Sequence, residues 1–449
     1  MATADTKITP GKASDISQSN AILVVDRTAS NQGYVVTHLV EDDSHPDKPY
    51  ELSHHAVNSL TPELEPYVIR ECPDHLRPSL ASVHVIVSGK SGTGRAAKCW
   101  ESVVEPLLQL IQSLGGSANS TSGNGYDVLF TESASSISEF SRSKLGLGTP
   151  EASRPQTVLL LSGDGGVVDI LNGLDAKVPS PSPPIISILP FGTGNALFHS
   201  IHKPFYLPAS PTPLVLGLRT LWKGTPSPLP TFRASFSPGS KLVRHAGQSD
   251  EIEHSADEGD KIDSLLGAVV ASYGFHSNIV WESDTPEYRK HGAKRFGMVA
   301  VKLLQENHAY DASVLVRSPA DEDLDNFHPL KNAPEKFGYM LVAQVSNLEK
   351  TFEISPATRP LDPALRLVYF GPVGGEKTME IMGAAYAGGQ HVKMEEVGYE
   401  EIGSLEVRVA EEDARWRKVC IDGTIVELEK GGWMRVEKVK EPFLRVLTQ

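Results

Sequence analysis

Three glycine-rich segments constrain the fold of this 449-residue chain more than any other feature, because each lies between an apolar run and a helical pattern. They are SGKSGTGR at 88–95, SGDGG at 162–166 and FGTGN at 191–195. In a parallel α/β sheet such strand-to-helix turns lie at the carboxyl edge, where backbone N–H groups and helix N-termini can bind phosphate oxygens. The three segments together predict a phosphate-binding α/β domain.

The strands that precede these turns are predicted from short apolar runs that alternate with helical periodicity, the pattern of βα units. The runs cover residues 83–87, 126–130, 157–161 and 185–189, and apolar residues recur at helical spacing over 97–114 and 167–174. We therefore expect a doubly wound α/β domain over residues 82–225.

Residues 230–449 differ in pattern, since most of their apolar runs are strand-like and bounded by turn residues. These runs cover 232–236, 265–273, 339–345, 365–369, 405–409 and 418–422, with one helical segment at about 286–305. They predict an antiparallel β-sandwich domain. We expect residues 1–80 to form a disordered tail and a small β-rich extension, and the polar stretches 237–263 and 318–336 to be mobile insertions.

Composition excludes several classes of protein. The formal net charge of -14 argues against nucleic-acid binding, which needs clustered Lys and Arg. Three widely spaced cysteines, Cys72, Cys99 and Cys420, are typical of a reducing compartment without a disulfide framework. No run approaches the ~18 apolar residues of a membrane span, and the N-terminus lacks a signal-peptide pattern. We expect a cytoplasmic protein that contacts membranes at most peripherally.

Asp164 is the residue that most directly indicates catalysis. It lies between two glycines in the second turn, where a carboxylate would repel bound phosphate unless it bound a metal or accepted a proton. It is therefore a candidate general base. The alternative is a cap for the helix that begins at Gly166, and one residue can do both. The first turn is not a Walker A loop, because Arg95-Ala96 stands where Lys-Ser/Thr is required.

Three longer motifs carry a family resemblance. The sequence SGDGGVVDILNGL at 162–174 is similar to an SGDG…E-V-x-N-G-L motif, and LPFGTGNAL at 189–197 is similar to L-P-x-G-[ST]-G-N-A-L. The residues GF at 274–275, ES at 282–283 and EYRKHGAKRF at 287–296 follow in order. From about residue 83 onward, the chain resembles the sphingosine, ceramide and diacylglycerol kinases. The resemblance implies an NAD-kinase/diacylglycerol-kinase-like fold and phosphorylation of a lipid hydroxyl with ATP and Mg²⁺.

The resemblance also implies individual roles, with Asp164 as the base on the lipid hydroxyl. ATP would be contacted by Ser88, Gly89, Lys90, Thr131, Asp169, Gly192, Thr193, Gly194, Arg289, Arg295 and Asp422, the last of these also near Mg²⁺. The lipid would be contacted by Ser162, Gly163, Gly165, Asn278 and Val280. Independently of the resemblance, Arg289, Lys290, Lys294 and Arg295 form a basic cluster in an acidic chain, for which a solvated helix face is the alternative.

The chain also departs from the family pattern. Ser88-Gly89 replaces Asn-Pro, Ser133 stands where an Arg follows Thr131-Glu132, and Thr424 replaces the Glu of a D-G-E segment. Residues 348–351, LEKT, replace a glycine-rich stretch. These departures leave a catalytically inactive, lipid-binding regulatory homologue as an alternative.

The substrate is the second open question. Sphingosine kinases usually carry two Asp where this chain has Asn278 and Val280, and an ammonium buried without a carboxylate is costly. Ceramide or diacylglycerol is therefore an alternative, although Glu282 or Asp284 can replace the missing acid. The sequence favours a sphingoid base, because no pleckstrin-type domain precedes the kinase region. The expected partners are a lipid substrate and a membrane surface, and the sequence leaves the oligomeric state open.

Overall fold

The computed structural model describes residues 19–28, 32–115, 125–145, 154–174, 180–207, 210–245 and 260–449. The predicted tail up to residue 18 and residues 246–259 of the first predicted insertion lie outside these ranges. The described residues contain four sheets, one at the N-terminus, one in the α/β region and two in the β-rich region. No helix among them is long and apolar enough to cross a membrane.

The N-terminal sheet is an antiparallel meander of three strands, β1 (Ile22–Arg27), β2 (Tyr34–Glu41) and β3 (Tyr50–Val57). It occupies the predicted β-rich extension. Leu23, Val24 and Leu39 are buried in the same core as the α/β domain. The sheet is therefore packed onto that domain.

The α/β domain is built on a six-stranded sheet whose strands are, in spatial order, β5 (Asp127–Phe130), β4 (Ser82–Val87), β6 (Gln156–Ser162), β7 (Ile185–Pro190), β22 (Arg445–Thr448) and β8 (Thr225–Pro228). Its first four strands in the chain, β4, β5, β6 and β7, are parallel. Helices cover both faces, so β4, β6 and β7 are buried and read as continuous apolar runs. The helices are α1 (Ala96–Cys99), α2 (Glu105–Ser113), α3 (Ser136–Phe140), α4 (Asp164–Gly173), α5 (Ala196–His202) and α6 (Pro213–Lys223).

The last strand of the chain returns to this sheet. β22 (Arg445–Thr448) pairs in parallel with β7 and antiparallel with β8 (Thr225–Pro228). Val446 and Leu447 are buried there. The predicted boundary near residue 225 is thus incomplete, because the C-terminal residues pack with the first domain.

The β-rich region contains two antiparallel sheets. The seven-stranded sheet comprises, in spatial order, β10 (Lys241–Leu242), β20 (Thr424–Glu427), β19 (Lys418–Ile421), β12 (Val270–Gly274), β15 (Tyr339–Ala343), β16 (Leu365–Phe370) and β17 (Gly398–Ile402). The six-stranded sheet comprises β11 (Ser264–Gly267), β9 (Phe232–Phe236), β21 (Trp433–Lys438), β18 (Ser404–Val409), β13 (Ala312–Arg317) and β14 (His328–Pro329). The helices of the β-rich region are α7 (Phe275–Ser283), α8 (Pro286–Arg289), α9 (Lys294–Glu306) and α10 (Gly375–Tyr386).

The apolar run 265–273, predicted as one strand, is two. β11 and β12 belong to different sheets, and Ala268 and Val269 lie between them. The backbone N–H groups of these two residues donate to the Asp422 carboxylate instead of to a neighbouring strand. A contact from a distant part of the chain therefore interrupts the run.

The α/β domain and the β-rich region share one hydrophobic core. On α4, the Asn172 side chain donates to the Leu266 carbonyl at 2.9 Å and accepts from the Leu266 N–H at 2.8 Å. These two bonds join α4 to β11 as a neighbouring strand would. The two parts of the molecule are therefore joined by hydrogen bonds as well as by apolar packing.

Candidate active site

The three glycine-rich turns converge on one cleft of about 930 Å³. Gly92, Gly165 and Gly194 all line it, and its other wall belongs to the β-rich region. The turns are in close contact, since a Cβ on Gly163 would lie 2.7 Å from the Gly192 Cα. Only glycine permits this approach at the two turns that would face a phosphate.

The third turn is closed by its own asparagine. Asn195 has a left-handed φ of 54°, its Oδ1 accepts from the Gly192 N–H at 2.8 Å, and its Nδ2 donates to the Gly192 carbonyl at 2.9 Å. The Asn195 side chain is therefore not free to cap α5, which begins at the next residue. That leaves the first N–H groups of α5 in need of another acceptor.

Asp164 supplies that acceptor from the second turn. Its Oδ2 accepts from the Ala196 N–H at 2.7 Å and its Oδ1 from the Leu197 N–H at 3.0 Å. The sequence-based alternative of a helix cap is therefore correct in kind, but the capped helix is α5 and not the helix of Asp164 itself. The carboxylate links the second turn to the third.

The Asp164 carboxylate is also suited to accept a proton. Burial raises its pKa above the ordinary value, and the two α5 N–H groups oppose that rise. The two bonds use about half of the roughly four acceptor positions of a carboxylate. A hydroxyl in the cleft can approach the remaining positions, so the arrangement permits general-base catalysis.

Asp422 also lines the cleft, but its carboxylate is fully engaged. Oδ1 accepts from the N–H groups of Val269 and Val270, and Oδ2 accepts from those of Ala268 and Val269, at 2.6 to 3.2 Å. These four contacts occupy the acceptor positions that a metal would need. Burial, opposed by the N–H groups and reinforced by the charge of Asp164, raises the pKa of Asp422 to about 7.

These residues do not fit a preformed Mg²⁺ site. Among the described residues, no three His, Cys, Asp or Glu side chains are grouped so that they could hold a metal. Asp422 and Gly423, with φ of 48° and 93°, form the two-residue turn between β19 and β20. Asp-Gly is the preferred sequence for such a hairpin turn, which accounts for this pair without a metal.

Four Lys and Arg side chains line the cleft: Lys90 from the first turn, and Arg244, Arg289 and Arg295 from the β-rich region. Arg289 and Arg295 thus line the cleft, and their contact with ATP stays a prediction. Both are held by Asp284: Arg289 donates through Nε and Nη2 at 2.9 Å each, and Nη1 of Arg295 lies 3.6 Å from Oδ1. These cations and the N–H groups of the turns fit a polyphosphate such as that of ATP.

The remaining predicted residues divide into two groups. Those that line the cleft are Ser88, Thr131, Ser162, Gly163, Asp169, Val280, Gly192 and Thr193. Gly89 and Asn278 do not line it. Asn278 is fully buried and donates from Nδ2 to the Gly274 carbonyl at 2.9 Å, because it lies on the inward face of α7. The prediction that Asn278 contacts the lipid therefore does not fit the structure.

Arg244 is a cleft residue that the sequence did not indicate. Burial raises the pKa of Asp169 to about 7, and the nearby Arg244 guanidinium opposes the rise. Arg244 falls in the stretch that was assigned to a polar insertion, so no motif marked it. The charge at Asp169 is therefore balanced by a residue from the other part of the molecule.

The β-rich wall of the cleft is largely apolar. α7, α9 and α10 supply Phe275, Ile279, Phe296, Ala300, Met379 and Met382. The cleft thus joins the glycine-rich turns and a candidate base to an apolar surface. Such a combination can bring an apolar alcohol to a nucleotide phosphate.

Comparison with known proteins agrees with this geometry. Residues 82–218 match the model of the diacylglycerol kinase catalytic domain. No curated protein matches the sequence significantly.

Solved structures with a similar fold include a protein of Bacillus anthracis strain Sterne, provisionally identified as a diacylglycerol kinase, with a TM-score of 0.53 and 13% identity over 82% of this chain and 95% of that one. A second structure from that strain, also provisionally identified as a diacylglycerol kinase, has a TM-score of 0.49 and 14% identity over 82% and 97%. Yeast NADH kinase has a TM-score of 0.39 and 11% identity over 99% and 93%. At 13% identity the first likeness shows the fold alone.

The family match spans the α/β domain with its three turns and Asp164, and the fold comparison extends over most of the chain. Residues 82–218 are therefore similar to a diacylglycerol kinase catalytic domain, and the protein is a kinase.

Proposed function

We propose that the protein transfers the γ-phosphate of ATP to the hydroxyl of a lipid, with Asp164 as the general base. The observation that carries this proposal is the position of Asp164, which joins the second and third phosphate-binding turns and faces the same cleft as an apolar wall. A base at that point lies within reach of both a nucleotide phosphate and a lipid hydroxyl bound in the cleft.

In the proposed reaction the lipid oxygen forms a bond to the γ-phosphorus while its proton passes to Asp164. The bond from the γ-phosphorus to the β,γ-bridging oxygen breaks, and ADP leaves with that electron pair. Lys90, Arg289 and Arg295 stabilise the charge on the phosphoryl oxygens. Mg²⁺ stays an expectation of the resemblance.

The charges near α7 support an uncharged lipid alcohol, of the ceramide or diacylglycerol class. Glu282 is bound to Arg415 at 2.6 Å and to Lys302 at 3.1 Å, and Asp284 is bound to two arginines. Neither acid is free to pair with an ammonium group. Val280, which lines the cleft, adds an apolar side chain where a carboxylate would be needed.

A sphingoid base, which the sequence favoured, is the second candidate because of one other carboxylate. Glu349 lines the cleft, and its Oε2 accepts from the Tyr386 hydroxyl at 3.2 Å. It belongs to the stretch that replaces the expected glycines. A carboxylate in this position can pair with an ammonium that α7 does not serve.

Exposed apolar side chains beside the cleft support peripheral contact with a membrane. On α9, Met298 is 44% exposed and Val301 is 53% exposed, and Met379 of α10 is 51% exposed. α9 and α10 contact each other and both line the cleft. A lipid could pass between the bilayer and the cleft at this surface without crossing water.

The test is transfer of label from γ-labelled ATP to sphingosine, dihydrosphingosine, ceramide and diacylglycerol assayed in parallel, with Glu349→Gln as the matched variant. If the substrate is uncharged, we expect labelled ceramide or diacylglycerol, and the KM for that lipid is unchanged in Glu349→Gln. A sphingoid-base kinase would label sphingosine, with a raised KM for sphingosine in that variant. If no lipid is labelled, the proposal is wrong.

A further inference from the structure

The N-terminal sheet lies outside the catalytic domain match, which begins at residue 82, yet it contacts the first phosphate-binding turn. Arg95 is the last residue of that turn and does not line the cleft. Its guanidinium donates instead to the carboxylate of Asp43, in the loop between β2 and β3. The turn is therefore held from outside by a residue of the N-terminal sheet.

The same sheet also contacts the third turn. The ring of Tyr50, at the start of β3, packs edge-to-face on Phe191 with centroids 6.2 Å apart. Phe191 is 7% exposed, and its carbonyl oxygen would lie 2.3 Å from a Cβ on Gly92. Tyr50 also interacts with the Arg95 guanidinium. A short chain of contacts thus joins the N-terminal sheet to the point where the first and third turns meet.

The sheet is anchored well enough to support the turns. From α6, Arg219 Nε donates to the Ile22 carbonyl at 2.7 Å and Trp222 Nε1 donates to the Leu23 carbonyl at 3.2 Å. Leu23 and Val24 are fully buried against the α/β domain. Asp43 and Tyr50 are therefore carried by a sheet that is fixed to the domain at its other end.

We propose that Asp43 and Tyr50 are positioning residues for the nucleotide. They hold Arg95 and Phe191, and through them they set the spacing between the first and third turns that the phosphate groups require. Neither residue lines the cleft, so they act through the turns and not by touching the nucleotide. The inference rests on the proposed use of ATP in this cleft.

The test compares two acids of the same loop. Asp43 pairs with Arg95 in the turn, whereas Asp47 pairs with Lys98 of α1 at 3.7 Å, outside the turn. We expect Asp43→Ala to raise the KM and the Kd for ATP about three- to fivefold, the scale of an exposed ion pair. The turnover number at saturating ATP and the KM for the lipid stay unchanged. Asp47→Ala leaves every constant unchanged.

Two controls keep the inference open to contradiction. The Asp43 side chain is 90% exposed, so its truncation leaves the melting temperature of the ATP-free protein unchanged. The double variant Asp43→Arg with Arg95→Asp recovers the wild-type Kd for a fluorescent ATP analogue. Wild-type ATP affinity in Asp43→Ala, or no recovery in the double variant, would overturn the inference. If the wild-type protein itself binds no ATP, the proposed function fails as well, and that result needs no variant.

Discussion

At the scale of single residues, the number of backbone bonds that a carboxylate accepts determines what it can do. Asp164 accepts from two amides and keeps acceptor positions free, whereas Asp422 has four contacts and keeps none. Asp164 could be recognised from the sequence because its turn contains glycines on both sides. The role of Asp422 could not, since its donors lie as many as 154 positions earlier in the chain.

Arg295 provides the residue-scale prediction. Its side chain is 17% exposed and lines the cleft, so a charged bond to a phosphoryl oxygen would be partly shielded from water. We expect Arg295→Ala to lower kcat/KM for ATP about 10²-fold, as loss of one preorganised donor does. The matched control is Lys290→Ala, because Lys290 belongs to the same basic cluster but does not line the cleft. Steady-state kinetics with varied ATP measure kcat/KM for both variants. Equal kcat/KM for Arg295→Ala and wild type would mean that Arg295 belongs to a solvated helix face and does not bind phosphate.

At the scale of elements, strands that are buried on both faces were the most predictable. β4, β6 and β7 match their apolar runs to within one residue at each end, because helices cover both sides of the sheet. The run 265–273 was misassigned, since its interruption depends on Asp422. α7 and α10 were not predicted, and both line the cleft. The apolar wall was therefore the part of the site that could not be predicted from the sequence.

α9 provides the prediction at this scale. Replacing Met298 and Val301 together by Asp removes exposed apolar surface and adds charge, so binding to phosphatidylcholine vesicles is expected to fall about tenfold or more. Gln305→Asp is the control, because Gln305 is an exposed polar residue of the same helix. Vesicle co-sedimentation measures the binding. Unchanged sedimentation of the double variant would mean that α9 does not contact the membrane.

At the scale of the whole molecule, contacts between distant segments build the cleft. β22 completes the sheet of the first domain, Asn172 joins α4 to β11, and the N-terminal sheet holds the first turn through Asp43. The division of the chain at residues 80 and 230 rests on local patterns and misses these contacts, because strand pairing over such separations leaves no local signal. The glycine-rich turns could be predicted from the sequence, but the distant contacts that hold them in place could not.

The most direct test of the central claim is the transfer of label from γ-labelled ATP to lipid by the wild-type protein and by Asp164→Asn. Asn keeps the shape of the side chain but cannot take the proton, and it retains only one of the two acceptors for α5. We predict labelled lipid from the wild type, a rate lower by about 10²-fold or more in the variant, and nearly unchanged ATP affinity with a small fall in melting temperature. Labelled lipid formed by Asp164→Asn at the wild-type rate would contradict the account.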